Sequence, residues 1–356
     1  MSGIYIHIPF CKSRCLYCDF YSTTQLNQRE DYVTAVITEA RQRITQPTDI
    51  QTVYFGGGTP SMLDCEQIQR ILTAIHPINA NEITIEANPG DLTTDKLSQL
   101  HNIGINRLSI GVQSFLDKEL QFIGRRHTAQ QAKDVIHLAQ NAGFDNISID
   151  LMYALPDQTM ANWLYSIDEA LKLNVQHISC YNLTYEAGTR LTSMVNEGKI
   201  IPVNEDLENE MYDILCTKLK ENGFIHYEVS NFALPRRESK HNSSYWNNTP
   251  YIGLGAGAHS YDGTKRRWNI SNLSEYINNI ANGKIFWDEE MLTEEQKAME
   301  HIMLGLRTKE GIEATTTILQ KARPLLESGL LEISNGNIHA TQKGLHILNM
   351  IIEELV

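Results

Sequence analysis

The chain has 356 residues, 42% of them hydrophobic and 21% charged, which is enough for two domains or a barrel with an appendage and too apolar for global disorder. Its formal charge of −13 argues against a sequence-independent grip on nucleic acid or anionic lipid, since both need excess Lys and Arg. No apolar run approaches about 18 residues, so no membrane span is expected; Met1 to Pro9 lacks the basic and apolar regions of a signal peptide, so a cytoplasmic chain is expected.

The first two-thirds repeats one unit: a short β-rich run, a loop, then a capped amphipathic helix closed by glycine. Strands are predicted at residues 4–8, 53–55, 83–86, 107–112, 147–151 and 177–181, and their near-continuous apolar character suits a parallel sheet covered on both faces. Tyr32, Val33, Val36, Ile37 and Ala40 form one helical stripe. Ile68, Ile71, Leu72 and Ile75 form another, opened by Asp64 with Gln67 as a capping-box pair. Thr128 with Gln131 opens a third helix, with Ala132, Val135, Ile136 and Ala139 on its apolar side and Gly143 at its left-handed close. Thr159 and Asn204 read as further caps, and Gly104 and Gly223 as further stops. Six such cycles imply right-handed crossovers and a full or partial (β/α) barrel, with an open doubly wound sheet as the alternative. Either way, ligands gather at the C-terminal ends of the strands.

After about residue 235 the repeat stops, giving an expected division into residues 1–235 and 236–356. Residues 235–268 read as loop-rich. Beyond them come helices at 293–306 and 316–327, a hairpin at 331–339 turning on Asn335-Gly336, and a last helix at 342–355. This order resembles a winged helix. Residues 316–356 carry few basic side chains (Lys321, Arg323 and Lys343), so a packing or lid role is expected rather than DNA binding. Gly253 to Gly257 lacks the strand–helix context of a dinucleotide loop. The acidic stretch 288–295 reads as a solvated helix start, and Trp163 and Trp287 read as core.

Cys65, Cys180 and Cys216 are scattered through apolar patterns and read as small buried hydrophobes. Cys11, Cys15 and Cys18 instead form C-x3-C-x2-C directly after the first strand. Structural zinc takes four closed ligands, and no paired partner lies nearby. A [4Fe–4S] cluster usually has four cysteine ligands, so holding one with three leaves an iron open. A chance cluster or an adventitious zinc site is the alternative.

The triplet in a (β/α) context resembles the radical S-adenosylmethionine (SAM) enzymes. More closely, the chain resembles the oxygen-independent coproporphyrinogen III oxidase group and its heme-chaperone relatives, the HemW proteins. Tyr5 to Cys11 (YIHIPFC), Gly56 to Pro60 (GGGTP), Gly111 to Phe115 (GVQSF) and Asp150 to Tyr153 (DLMY) carry the likeness. It implies an α/β fold: a partial (β/α)6 radical-SAM barrel with a smaller C-terminal α+β, winged-helix-like domain. It also implies that the open iron is chelated by the amino and carboxylate groups of SAM, and that an electron from the cluster cleaves the sulfonium bond to give a 5′-deoxyadenosyl radical.

By the same resemblance, Cys11, Cys15 and Cys18 are the cluster ligands. Gly57, Gly58 and Thr59 let backbone approach the methionine end of SAM, and Tyr5, Tyr17, Glu86, Gln113, Arg125 and Asp150 match SAM-contacting positions. Carboxylates suit ribose hydroxyls or an ammonium, and the Arg125 fork suits a carboxylate. Two departures separate this chain from the oxidases. Phe20 stands where they carry a fourth cysteine, and their N-terminal extension is lacking, so porphyrinogen decarboxylation is disfavoured. His241 to Trp246 (HNSSYW) matches the HNxxYW motif of the heme chaperones. His241 is therefore expected to contact heme, a neutral imidazole being a known iron ligand. The expected partners are heme, heme-accepting proteins and an electron donor, with the cluster serving heme transfer or peripheral docking at a membrane.

Overall fold

The computed structural model describes residues 2–44 and 50–356. Six strands, β1 (Ser2–Ile8), β2 (Ile50–Gly57), β3 (Glu82–Ala87), β4 (Arg107–Gln113), β5 (Ile147–Tyr153) and β6 (His177–Asn182), lie side by side in chain order, all parallel. Each contains a strand expected from the sequence. Their side chains alternate: Leu108, Ile110 and Val112 are fully buried in the apolar layer, while Ser109, Gly111 and Gln113 line a cavity on the concave side. The helices between strands begin and end where their signals lie. Asp64 with Gln67 and Thr128 with Gln131 form capping boxes, and Gly104, Gly143 and Gly223 take left-handed φ angles of 98°, 96° and 82°.

The sheet does not stop at residue 235. At one flank, β7 (Ile225–Glu228) and β8 (Asn231–Ala233) form an antiparallel pair, with β8 against β6. At the other, β9 (Tyr251–Leu254) runs parallel to β1, and β10 (His259–Tyr261), β11 (Lys265–Asn269) and β12 (Trp287–Met291) follow antiparallel. Among the described residues, the twelve strands of this sheet run from β12 to β7 with no pairing between these two edges, which makes the barrel partial. The loop-rich reading of 235–268 is thereby corrected: the segment contains a helix, Lys240–Trp246, and three strands of three to five residues. Runs that short carry no legible two-residue period. A division at residue 235 would cut through this sheet. The acidic stretch is corrected likewise, since residues 288–291 are edge strand and the helix Glu294–Gly305 begins only afterwards.

A second apolar cluster centred on Leu306, Ile312, Leu325, Ile338 and Ile351 binds the C-terminal helices to a three-stranded sheet, β13 (Ile312–Glu313), β14 (Leu331–Ser334) and β15 (Asn337–Ala340). Asn335 and Gly336, at φ 52° and 82°, make the tight hairpin turn. The expected last helix is two, Gln342–Leu345 and Leu348–Leu355, broken where Ile347 leaves helical geometry at φ −121°, ψ 30°. Trp163 is fully buried, whereas Trp287 is only partly so, with the Arg267 guanidinium 3.9 Å over its ring. Cys65 and Cys180 are buried and Cys216 half-buried, all as free thiols. Among the described residues no helix is long and apolar enough to cross a membrane.

Candidate cluster and cofactor site

The cysteine loop leaves β1 and is closed on itself. Cys11 N donates to Thr23 O at 2.9 Å, and Thr23 N donates to Pro9 O at 2.7 Å. Its middle is tied down by Leu16 N on Ile123 O (3.3 Å) and by Leu191 N on Leu16 O (3.0 Å). Cys11, Cys15 and Cys18 carry free thiols on one cavity wall, and burial pushes the Cys11 and Cys18 thiols up. Cys11 Sγ lies 3.4 Å from Thr59 Oγ1, and Arg125 Nη1 lies 3.7 Å from Cys15 Sγ.

The glycine turn after β2 faces this loop. Gly57 is left-handed at φ 111°, and a Cβ there would meet the His7 ring at 2.6 Å; one on Gly58 would meet Pro9 carbonyl carbon at 2.8 Å. The turn therefore admits no side chain at either position. Gly57 N donates to Glu86 Oε2 at 3.1 Å and Tyr54 OH to Oε1 at 2.9 Å, so β3 holds the turn from below. Burial raises Glu86 to about 7 and Asp150 to about 6. Asp150 accepts from Ser109 Oγ at 3.4 Å. Gln113 sits at φ 72°, next to a register shift between β4 and β5, and lines the cavity. Arg125 donates to Gly111 O, while its buried Nε has no partner.

These groups line one cavity of about 670 Å3: the three cysteines, Tyr17, Gly57, Gly58, Thr59, Glu86, Gln113, Arg125 and Asp150. Two expected residues lie elsewhere. Tyr5 lines a smaller adjoining cavity of about 220 Å3, which shares Phe20, Gly57, Glu86 and Tyr181 with the first. His241 lines neither. Its imidazole is fully buried, with Nδ1 2.8 Å from Thr52 Oγ1 and Nε2 2.8 Å from Tyr245 OH, and burial lowers its pKa to about 3. Asn242 and Tyr245 are the residues of that helix that reach the smaller cavity. Sequence reading passed over Tyr54, whose only signal was a phenol inside an apolar strand. It also passed over Ser109 and Tyr181, whose inward alternation placed them beside Gly111 and Asp150.

The Radical SAM superfamily matches residues 5–170, and the HemN C-terminal domain matches residues 292–347. The heme chaperone HemW of Bacillus subtilis (strain 168) is 37% identical to the chain over 97% of it and 96% of the relative. That of Lactococcus lactis subsp. lactis (strain IL1403) is 36% identical over 100% and 97%. The chain belongs to the HemW family. A zebrafish relative, the mitochondrial radical S-adenosyl methionine domain-containing protein 1 of Danio rerio, is 34% identical over 87% of this chain and 74% of its own. Among solved structures, the coproporphyrinogen III oxidase HemN of Escherichia coli, a radical SAM enzyme, superposes with a TM-score of 0.85 at 22% identity, over 99% of this chain and 89% of that one. That likeness establishes the fold: a radical-SAM barrel with a C-terminal domain.

The family implies a [4Fe–4S] cluster and SAM, and the residues present fit both. Three soft sulfur donors line one cavity, the glycine turn presents backbone to it with the space for either Cβ already taken by His7 and Pro9, and the unpartnered Arg125 Nε is a buried donor awaiting an acceptor. Among the described residues, no three His, Cys, Asp or Glu side chains converge on a single metal-ion position. A cubane does not require that, because each thiolate binds a different iron. When bound, the cluster supplies an electron and SAM the sulfonium carbon–sulfur bond that receives it. With these groups bound, Cys11, Cys15 and Cys18 would seat the cluster, the glycine turn would approach SAM with backbone, and Glu86, Asp150 and Arg125 would stand around it.

Proposed function

We propose that this protein is a heme chaperone: it holds a [4Fe–4S] cluster on Cys11, Cys15 and Cys18, binds SAM beside it, and carries heme to heme-accepting proteins. The observation that carries this reading is the match to heme chaperones over nearly the whole of both chains. Phe20 agrees with it. It stands at the position of the oxidases' fourth cysteine, is 69% exposed, and forms an apolar edge where the two cavities join. The HNxxYW helix borders the smaller cavity through Asn242 and Tyr245, so heme is read as meeting that helix on their side. His241 then acts by fixing the Tyr245 phenol, because both its ring nitrogens are already engaged. An electron donor, a cytoplasmic location and transient docking at a membrane surface belong to the same proposal.

The test is a heme titration followed by transfer to an apo-hemoprotein, run beside an assay with coproporphyrinogen, SAM and reductant. Saturable heme binding, transfer and no protoporphyrinogen are expected. Sustained protoporphyrinogen formation would make the protein a dehydrogenase instead. In the titration, Tyr245→Ala is expected to weaken heme binding, and His241→Gln, able to bond the same phenol, to weaken it less. An unaltered spectrum and affinity in Tyr245→Ala would remove the helix from the heme site.

A further inference from the structure

Asp91 ends the short turn Pro89–Asp91 that follows β3. Its side chain is only 4% exposed, yet both oxygens are in use. Oδ1 accepts from Lys12 Nζ at 3.1 Å and from Arg126 Nη2 at 3.1 Å; Oδ2 accepts from the same Arg126 nitrogen at 3.0 Å and from Ser61 Oγ at 3.4 Å. Each partner stands next to the site. Lys12 lies between Cys11 and Cys15, Ser61 follows Thr59-Pro60, and Arg126 adjoins Arg125, which touches Cys15 Sγ. One carboxylate thus ties together the loops that follow β1, β2 and β4 from the loop that follows β3.

We propose that Asp91 is a positioning residue that clamps the cysteine loop in its cluster-ready shape. Exposed ion pairs contribute little because water and salt screen them. This carboxylate is sunk beneath its partners and serves two cations and a hydroxyl at once, so its loss leaves Lys12 and Arg126 without a common anchor. The loop's backbone ties at Cys11, Leu16 and Thr23 do not reach the β3 loop, and the β2 loop is met through Cys11 Sγ and Thr59 Oγ1, so Asp91 supplies the link to the β3 loop and gathers all of them on one carboxylate. The function of the clamp rests on the cluster reading; its existence does not.

The decisive measurement uses the metal-free full-length protein. Iodoacetamide modification of Cys11, buried beside Lys12, is timed by mass spectrometry with half-buried Cys216 as internal reference. Asp91→Asn is expected to speed Cys11 modification about fivefold, as local opening would, with Cys216 unchanged and Asp91→Glu restoring most of the protection. A wild-type rate at Cys11, or equal acceleration at Cys216, overturns the proposal. Should Asp91→Asn fail to fold, the Lys12→Met, Arg126→Met pair carries the decision by the same criterion. Anaerobic iron uptake separates the two ideas: wild-type protein that binds no iron refutes the cluster, while the modification rates still decide the clamp.

Discussion

Glu86 and Asp150 face the cavity as carboxyls that burial makes reluctant to ionise, Glu86 at about 7 and Asp150 at about 6. The sign of the consequence is fixed by linkage. The folded chain binds these protons more tightly than the unfolded one, so the two groups lower stability as pH rises from about 4 through 7. A cationic ligand favours the ionised forms, so SAM uptake at this site is expected to release protons, with an affinity that rises over the upper part of the same window. Calorimetric titration is expected to give up to about tenfold weaker SAM binding at about pH 6 than at about pH 7.5, and a flatter profile in Glu86→Gln. Equal affinity at both pH values would remove these carboxyls from the ligand's surroundings. At this scale the cysteine triplet and the glycine turn were legible because they are contiguous in sequence. The engagement of His241 was not, because its partner Thr52 lies 189 positions away.

Among the elements, the helix Arg29–Arg43 does more than cover the sheet. Glu39 lies on its apolar side, fully buried, and accepts from Tyr276 OH at 2.6 Å, Gly255 N at 2.8 Å, Asn269 Nδ2 at 2.9 Å and Arg43 Nη1 at 3.1 Å. Arg43 continues to Gly253 O at 2.6 Å and Ser260 Oγ at 3.0 Å. This network fastens β9 to β11 against the flank of β1. Glu39→Ala is expected to cost about 3–5 kcal/mol in urea unfolding, because it strands a buried guanidinium and several donors. A loss under about 1 kcal/mol would show that the strands hold themselves. The six parallel strands were legible as long apolar runs. The strands after residue 250 were not, because they are short and partly exposed and owe their place to Glu39, which in sequence is one charge inside a hydrophobic stripe.

At the scale of the whole molecule, the C-terminal unit docks at the turn from β7 into β8. Val229 N donates to Arg307 O at 2.9 Å and Lys309 N to Tyr227 O at 3.1 Å, next to Ser230, which lines the main cavity. The cavity is thus framed by the barrel's strand ends on one side and by the hairpin that carries the C-terminal domain on another. The barrel and the β14–β15 hairpin could be read from period and turn residues, but the β7–β8 pair and its junction with the C-terminal unit could not, since that junction is made by backbone groups that any sequence possesses. On the proposed function, three cysteines seat an iron–sulfur cluster with one iron left for SAM. Anaerobic reconstitution followed by iron and sulfide analysis tests it most directly. About four of each per chain are expected, with broad absorption near 400 nm that shifts on adding SAM and is lost in Cys15→Ser. A colourless protein that takes up zinc in place of iron would contradict it.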